Sequence, residues 1–291
     1  MASGPSLPPR SPAALGGGLL LAALALAVAL GPLLAPDPAA IDLMARLLPP
    51  SAAHPLGTDE LGRDVLARVL AGGRVSLTVA AATAVLAAAL GSAIGLAAGY
   101  FGGGLDAVLM RVTDGVMALP LLPLLIVLAA VDPAKLGLSP AVTGGEAFAI
   151  GRVVVIIALV GWTTVARLVR AATLSVRTRD YVRAAVAVGA GPGRIVLRHI
   201  LPNVASPLVV AATLSVGNII LVESALSFLG LGVQPPMASW GNMLTGAMDQ
   251  AASAPLLALW PGLAIFLTVL GFNLVGEALQ AWLNPRLARD L

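Results

Sequence analysis

The chain has 291 residues, of which 58% are hydrophobic and only 11% charged, with a formal net charge of +3. Soluble globular chains carry roughly 25% charged residues, so a mean hydropathy of +0.96 excludes a water-soluble domain of this size. Cysteine is absent and histidine occurs twice, which removes disulfide frameworks, thiol nucleophiles and cysteine metal sites.

An α-helix needs about 20 apolar residues to cross a bilayer core of roughly 30 Å. Six runs approach that length, at residues 15–35, 75–99, 115–131, 153–169, 204–222 and 256–275. The expected fold class is therefore all-α, a polytopic membrane protein with about six transmembrane helices, an external amphipathic segment and a cytoplasmic loop. The chain divides into a tail (1–14), a first span (15–35), an external segment (36–74), a five-helix core (75–276) and a second tail (277–291). The first run shares the apolar character of a cleaved leader, but its length and the single preceding Arg10 favour a retained span.

After the first run comes His54-Pro55-Leu56-Gly57-Thr58-Asp59-Glu60-Leu61-Gly62-Arg63-Asp64. Thr58 is expected to cap a helix whose first turn carries Asp59 and Glu60. Leu61, Val65, Leu66, Val69 and Leu70 then recur on one face, with Glu60, Asp64 and Arg68 away from it. This predicts a short surface helix that leads through Gly72-Gly73 into the second run, where simple anchoring at the interface is an equally good reading. Gly91, Gly95 and Gly99 give that run the small-residue spacing of close helix packing. The third run contains Pro120 and Pro123, and Arg111 precedes Asp114 at the spacing of a local ion pair.

The long connection at 170–200 carries Arg170, Arg177, Arg179, Arg183, Arg194 and Arg198, with Arg167 just before it, whereas 235–255 has no Lys or Arg. Cations favour the cytoplasmic side, so this loop and both termini are placed inside and 235–255 outside. Membrane lipids explain the basic charge, and no nucleic acid is expected as a partner because no binding motif accompanies it. Asp180 is expected to cap a helix beginning at Tyr181, followed by the small residues Ala184, Ala185 and Ala187, then Gly189 and the breaker Gly191-Pro192-Gly193. A second short basic helix should end at Leu201-Pro202-Asn203. Taken alone, the pattern fits either a connector resting on headgroups or a helix whose Tyr181, Val182 and arginines meet a cytoplasmic partner.

Pro207 interrupts the fifth run, and a Gly/Pro-rich, almost uncharged stretch follows it, expected as an external scoop-like segment (223–255) in which Leu226 to Val233 re-enters the bundle mouth or forms a short helix against it. Asn218, Glu223 and Asn273 are polar groups within or beside apolar runs, a pattern typical of residues facing protein or water. Trp240 is either an interfacial anchor or a packing residue.

Several of these segments carry a family resemblance. Tyr181-Val182-Arg183-Ala184-Ala185, Gly189 and Arg198-His199-Ile200-Leu201-Pro202-Asn203 resemble the cytoplasmic loop of bacterial ABC-importer permeases. The segment from His54 to Asp64 resembles the second permease subunit of dipeptide, oligopeptide and nickel importers. So do Leu226-Ser227-Phe228-Leu229-Gly230-Leu231-Gly232-Val233, Pro235-Pro236, Ser239-Trp240-Gly241-Asn242, Pro261-Gly262, Asn273 and Asn284-Pro285-Arg286. Arg183, His199 and the stretch from Gly276 to Trp282 depart from the general pattern.

The resemblance implies a type I importer permease in the bacterial inner membrane. Its partners would be a homologous second permease subunit, two ATP-binding subunits and an extracytoplasmic substrate-binding protein. ATP and Mg would sit in the partners, with no cofactor on this chain, in keeping with the lack of a Gly-rich phosphate loop. Coupling would fall to Asp180, Tyr181, Val182, Arg183, Ala184, Ala185, Gly189, Arg194 and Arg198. Candidates for the path or gate are Asn218, Glu223, Leu226, Phe228 and Asn273, and those for external docking are Thr58, Asp59, Arg63, Asp64 and Trp240. The cargo would be a di- or oligopeptide, or alternatively a nickel complex or other small solute. An ion-coupled secondary transporter and a non-transporting scaffold are the other classes; neither predicts an ATPase partner, and the first predicts internal repeats.

Overall fold

The computed structural model describes residues 12–283, so most of the N-terminal tail, with Arg10, and the Asn284-Pro285-Arg286 motif lie outside the described residues. In chain order the helices are α1 (Pro12–Leu34), α2 (Val65–Phe101), α3 (Gly103–Ala118), α4 (Leu121–Ala129), the single turn α5 (Pro140–Thr143) and α6 (Glu146–Arg177). They continue with α7 (Asp180–Ala187), the turn α8 (Pro192–Arg194), α9 (Leu201–Phe228), α10 (Trp240–Met248) and α11 (Leu256–Leu283). Among the described residues, five helical stretches are long and apolar enough to cross a membrane, and the bent pair α3 and α4 makes a sixth if counted as one span.

The third span departs from expectation. Instead of a continuous helix, α3 and α4 meet at an angle of 91°. Leu119 is extended at φ −79°, ψ 138° and Pro120 caps α4. A residue before proline is pushed out of the helical region, whereas Pro123, in the first turn of α4, removes a donor that has no intrahelical partner. Asp114 pairs with Arg167 at 2.5 Å, not with Arg111 as the spacing suggested. Arg170 grips Asp106 through two bonds of 2.5 and 2.6 Å. The two ion pairs hold bent α3 against α6.

The core is built on α2 against α6. An added Cβ would lie 2.6 Å from the Trp162 carbonyl oxygen at Gly91, 2.6 Å from that of Ala166 at Gly95, and 2.7 Å from the Thr173 Cβ at Gly99. The glycine stripe thus lets two backbones touch, as its spacing predicted. Gly72 and Gly73 do not separate a surface helix from the second span, since α2 is continuous through them. They make room for Ser239 and Trp240, and a Cβ on Gly73 would sit 2.9 Å from the indole.

Toward α7, the expected second basic helix is not separate. A π-turn at Ile195–Ile200 runs directly into α9, so helix is continuous through Leu201-Pro202-Asn203. The Leu201 amide reaches back to the Val196 carbonyl. Such widening accommodates Pro202, which cannot donate and would crowd a regular preceding turn.

Candidate functional site

Two ends and a central groove hold the residues singled out by sequence. At one end α7 forms a short bracket joining α6 to the start of α9. Arg179, not Asp180, occupies its N-cap position; Asp180 is the first helical residue, and no side chain caps the turn. The other end of α7 closes as sequence suggested, because Gly189 adopts φ +81°. Its amide bonds to Val186 O at 2.9 Å and the next amide, of Ala190, to Ala185 O at 3.0 Å, the paired bonds of a glycine C-cap.

Val182 faces inward, contrary to its expected place on a partner surface, and packs in the cluster of Leu96, Val169, Ile195, Ile200 and Val204. The face left outward carries Tyr181 (45% exposed), Ala184 and Val188 (85% exposed), which recur at helical spacing. Ala185 is half-buried, while Arg183, Arg194 and Arg198 are exposed. Arg177 donates to the Gly99 and Tyr100 carbonyls at 3.2 and 2.8 Å, tying the end of α6 to the last turn of α2.

The groove is a hollow of about 320 Å³ among α2, α3, α4, α6 and α9. Asn218 lines it together with Thr163, Thr164 and Ser215. Asn273 is exposed on α11 but is not part of this lining, so the structure does not bring the two asparagines together.

At the opposite end, Glu223 is 0% exposed and shut inside the protein rather than facing an open path. Its carboxyl group accepts from Ser76 Oγ at 3.0 Å and Ser227 Oγ at 2.8 Å. Ser76 Oγ in turn accepts the Trp240 amide at 3.2 Å, and Ser227 Oγ the Val233 amide at 3.2 Å. One carboxyl group thereby joins α2, α9 and the start of α10. Leu226 is buried beside it, whereas Phe228 is partly exposed and its carbonyl accepts from Thr245. Trp240 is no interfacial anchor, because it is buried in the core and its indole N–H donates to Val69 O at 2.9 Å. The capping box of Ser239 and Asn242 starts α10 at this point.

The segment before α2 also turns inward. Thr58 caps no helix; its hydroxyl donates to Ala45 O and accepts from Leu48 N. Asp64 caps α2 instead, accepting the Ala67 amide at 2.8 Å. Leu61 therefore falls in a turn, and Asp64 and Arg68 are buried rather than on a solvated face. Asp59 accepts the Leu61 and Arg63 amides at 2.9 Å each and Arg63 Nε at 2.7 Å, and forms an ion pair with Arg68, whose Nε lies 3.3 Å away. Gly62, at φ +74°, is required here because a Cβ would fall 1.7 Å from Asp42 O. Of the expected docking residues, Arg63 bonds to Asp59 and Glu60 within this segment and Trp240 to Val69 on α2, and both side chains are largely enclosed. The serines around Glu223 and the inward Arg68 escaped the sequence reading; their one sign was polarity inside otherwise apolar helical stretches.

A bundle of long apolar helices, enclosing a mainly apolar groove with a few polar side chains and carrying a short bracket helix at one end, defines a polytopic membrane protein of the transport-permease class. Residues 91–289 match the family described as binding-protein-dependent transport system inner membrane component. A putative peptide permease protein of Brucella suis biovar 1 is 44% identical over 277 residues, covering 94% of this chain and 87% of the relative. The nickel transport system permease protein NikC of Escherichia coli K12 is 41% identical over 254 residues, 87% of each chain. The dipeptide transport system permease protein DppC of Alkalihalophilus pseudofirmus is 38% identical over 242 residues, 83% of this chain and 75% of the relative. The chain belongs to this family of inner-membrane permease subunits of ABC importers, a transport component rather than an enzyme.

Proposed function

We propose that the chain forms half of the translocation path of an ATP-driven importer for di- or oligopeptides, beside a homologous second permease subunit. Two ATP-binding subunits, holding ATP and Mg, would dock on the α7 side, and an extracytoplasmic binding protein would deliver cargo at the α10 side. The observation carrying this reading is the outward face of α7: Tyr181, Ala184 and Val188 form an exposed apolar stripe, held rigidly by inward Val182. An apolar stripe on a braced, charge-rimmed helix suits a protein partner better than water. Peptide cargo is favoured by the peptide names of the Brucella and Alkalihalophilus relatives, and the Escherichia coli relative supports nickel as the second reading.

The test is uptake by vesicles containing the whole complex. Labelled dipeptide should enter only with ATP and the binding protein; uptake of a nickel complex instead would favour the second reading, and ATP-independent flux by this chain alone would sink both. Ala184→Trp places bulk on the outward face, so it should cut coupled uptake by roughly tenfold or more, about 1.4 kcal/mol per factor of ten, with the bundle still folded. Wild-type uptake and ATPase affinity in that variant would move the contact elsewhere.

In this reading both termini and α7 are cytoplasmic and α10 is external, as the arginine-rich loop suggests. Since cysteine is absent, a single Met248→Cys, at a position exposed in the structure, reports orientation cleanly. A membrane-impermeant thiol reagent should label it from outside intact cells; labelling only in inverted vesicles would reverse the topology.

A further inference from the structure

Between the segment before α2 and helix α10 lies a cavity of about 290 Å³. Its floor is apolar, formed by Val65, Met243 and Leu257, and one wall carries Asp59, Glu60, Arg63 and Arg68. Arg68 is only 6% exposed; its Nε lies 3.3 Å from Asp59, and its Nη1 is buried with no hydrogen-bond partner. A buried guanidinium donor without an acceptor is costly, and a carboxylate is the group that best matches its geometry and charge. Asp59 cannot be the complete answer, because it already accepts two backbone amides and the Arg63 guanidinium and is only an ion-pair neighbour of Arg68.

Glu60 differs from Asp59. Its carboxylate takes one bond from Arg63, at 3.1 Å, and its side chain is 30% exposed. It reaches across to α10, where a Cβ on Gly246 would lie 3.3 and 3.5 Å from its two oxygens. The wall therefore offers a buried donor at Arg68 and an accessible acceptor at Glu60. The two acids and two arginines balance, so an incoming ion of net charge would stand uncompensated at low dielectric, whereas a zwitterion leaves the site neutral.

We propose that this cavity binds a small zwitterion of amino-acid to dipeptide size, its carboxylate on Arg68 and its ammonium group at Glu60. The site is separate from the groove that holds Asn218, and it does not depend on which cargo the complex carries.

The test uses the full chain in nanodiscs, without ATPase or binding protein, titrated calorimetrically with dialanine, its C-terminal amide, its N-acetyl derivative and acetate. Dialanine should bind saturably; the amide, the N-acetyl derivative and acetate should each bind roughly tenfold more weakly or worse, since each lacks one charged contact. Arg68→Gln should erase the preference for acid over amide. Thr245→Phe fills the cavity from exposed Thr245 without altering its charged wall and costs only the exposed bond from Thr245 to Phe228 O, so it should abolish binding with the chain still folded, and it carries the test if Arg68→Gln does not fold. Equal affinity for dialanine and its amide, undiminished binding to Thr245→Phe, or no saturable heat, as for a cavity filled by water only, would each overturn the proposal. Because no transport is measured, failure of peptide import in vesicles would leave this result standing, and failure here would leave the import reading standing.

Discussion

Gly95→Val is expected to prevent the bundle from assembling. The first atom it adds would stand 2.6 Å from the Ala166 carbonyl oxygen and 2.9 Å from the Arg170 amide nitrogen. Both are backbone atoms on α6, so no rotamer change relieves the overlap; α2 and α6 must separate along the contact that Gly91 and Gly99 also serve. Overpacking commonly costs about 1–3 kcal/mol, and this rigid case belongs at or above the upper end. Membrane helices associate largely through such close packing, so loss here is not offset by burial elsewhere. The matched control is Gly115→Val on α3, where nothing lies within 4 Å of the added Cβ. Detergent extraction followed by size-exclusion chromatography and thermal unfolding should show the control monodisperse and Gly95→Val aggregated or strongly destabilised. Equal behaviour of the two variants would refute the α2–α6 contact.

Glu223→Ala should be the next most damaging single change. It deletes the acceptor shared by the Ser76 and Ser227 hydroxyls and leaves a cavity where the carboxyl group was. Each orphaned buried group costs about 1–3 kcal/mol, and cavity formation adds roughly 24 cal/mol per Å³, which puts the loss at roughly 2–5 kcal/mol. Ser76 also receives the Trp240 amide, so the damage should appear first as faster hydrogen exchange at the start of α10. Glu223→Gln retains an acceptor and nearly the same volume, and should be milder. Because Glu223 is sealed from solvent, the Gln variant should alter uptake of cationic and neutral cargo alike. A selective loss of cationic cargo would return Glu223 to the path.

The inward turn of the segment before α2 shows why local pattern was insufficient there. Thr58 followed by Asp59 and Glu60 has the composition of a helix start, yet Asp64 six positions later holds that role. Thr58 is taken up by Ala45 and Leu48, partners no helical periodicity can indicate. The third span shows the complementary case: Pro120 announced a disturbance, but the 91° bend also depends on α6, whose arginines hold Asp106 and Asp114. On α7 the sequence located the helix and its Gly189 stop, while the division into inward Val182 and outward Ala184 required the neighbouring ends of α2, α6 and α9.

The order of apolar runs, the glycine spacing on α2, the arginine-rich loop and the family motifs were all legible from sequence by itself, because hydrophobic length and i, i+4 spacing act within one helix. Only tertiary structure decided that Glu223 is closed off by a serine 147 positions earlier, that Arg68 faces a cavity, and that Asp114 chooses Arg167 over Arg111. A polar group in a low-dielectric interior goes to whichever partner satisfies it, and when that partner sits on another helix its identity is set by how the helices pack.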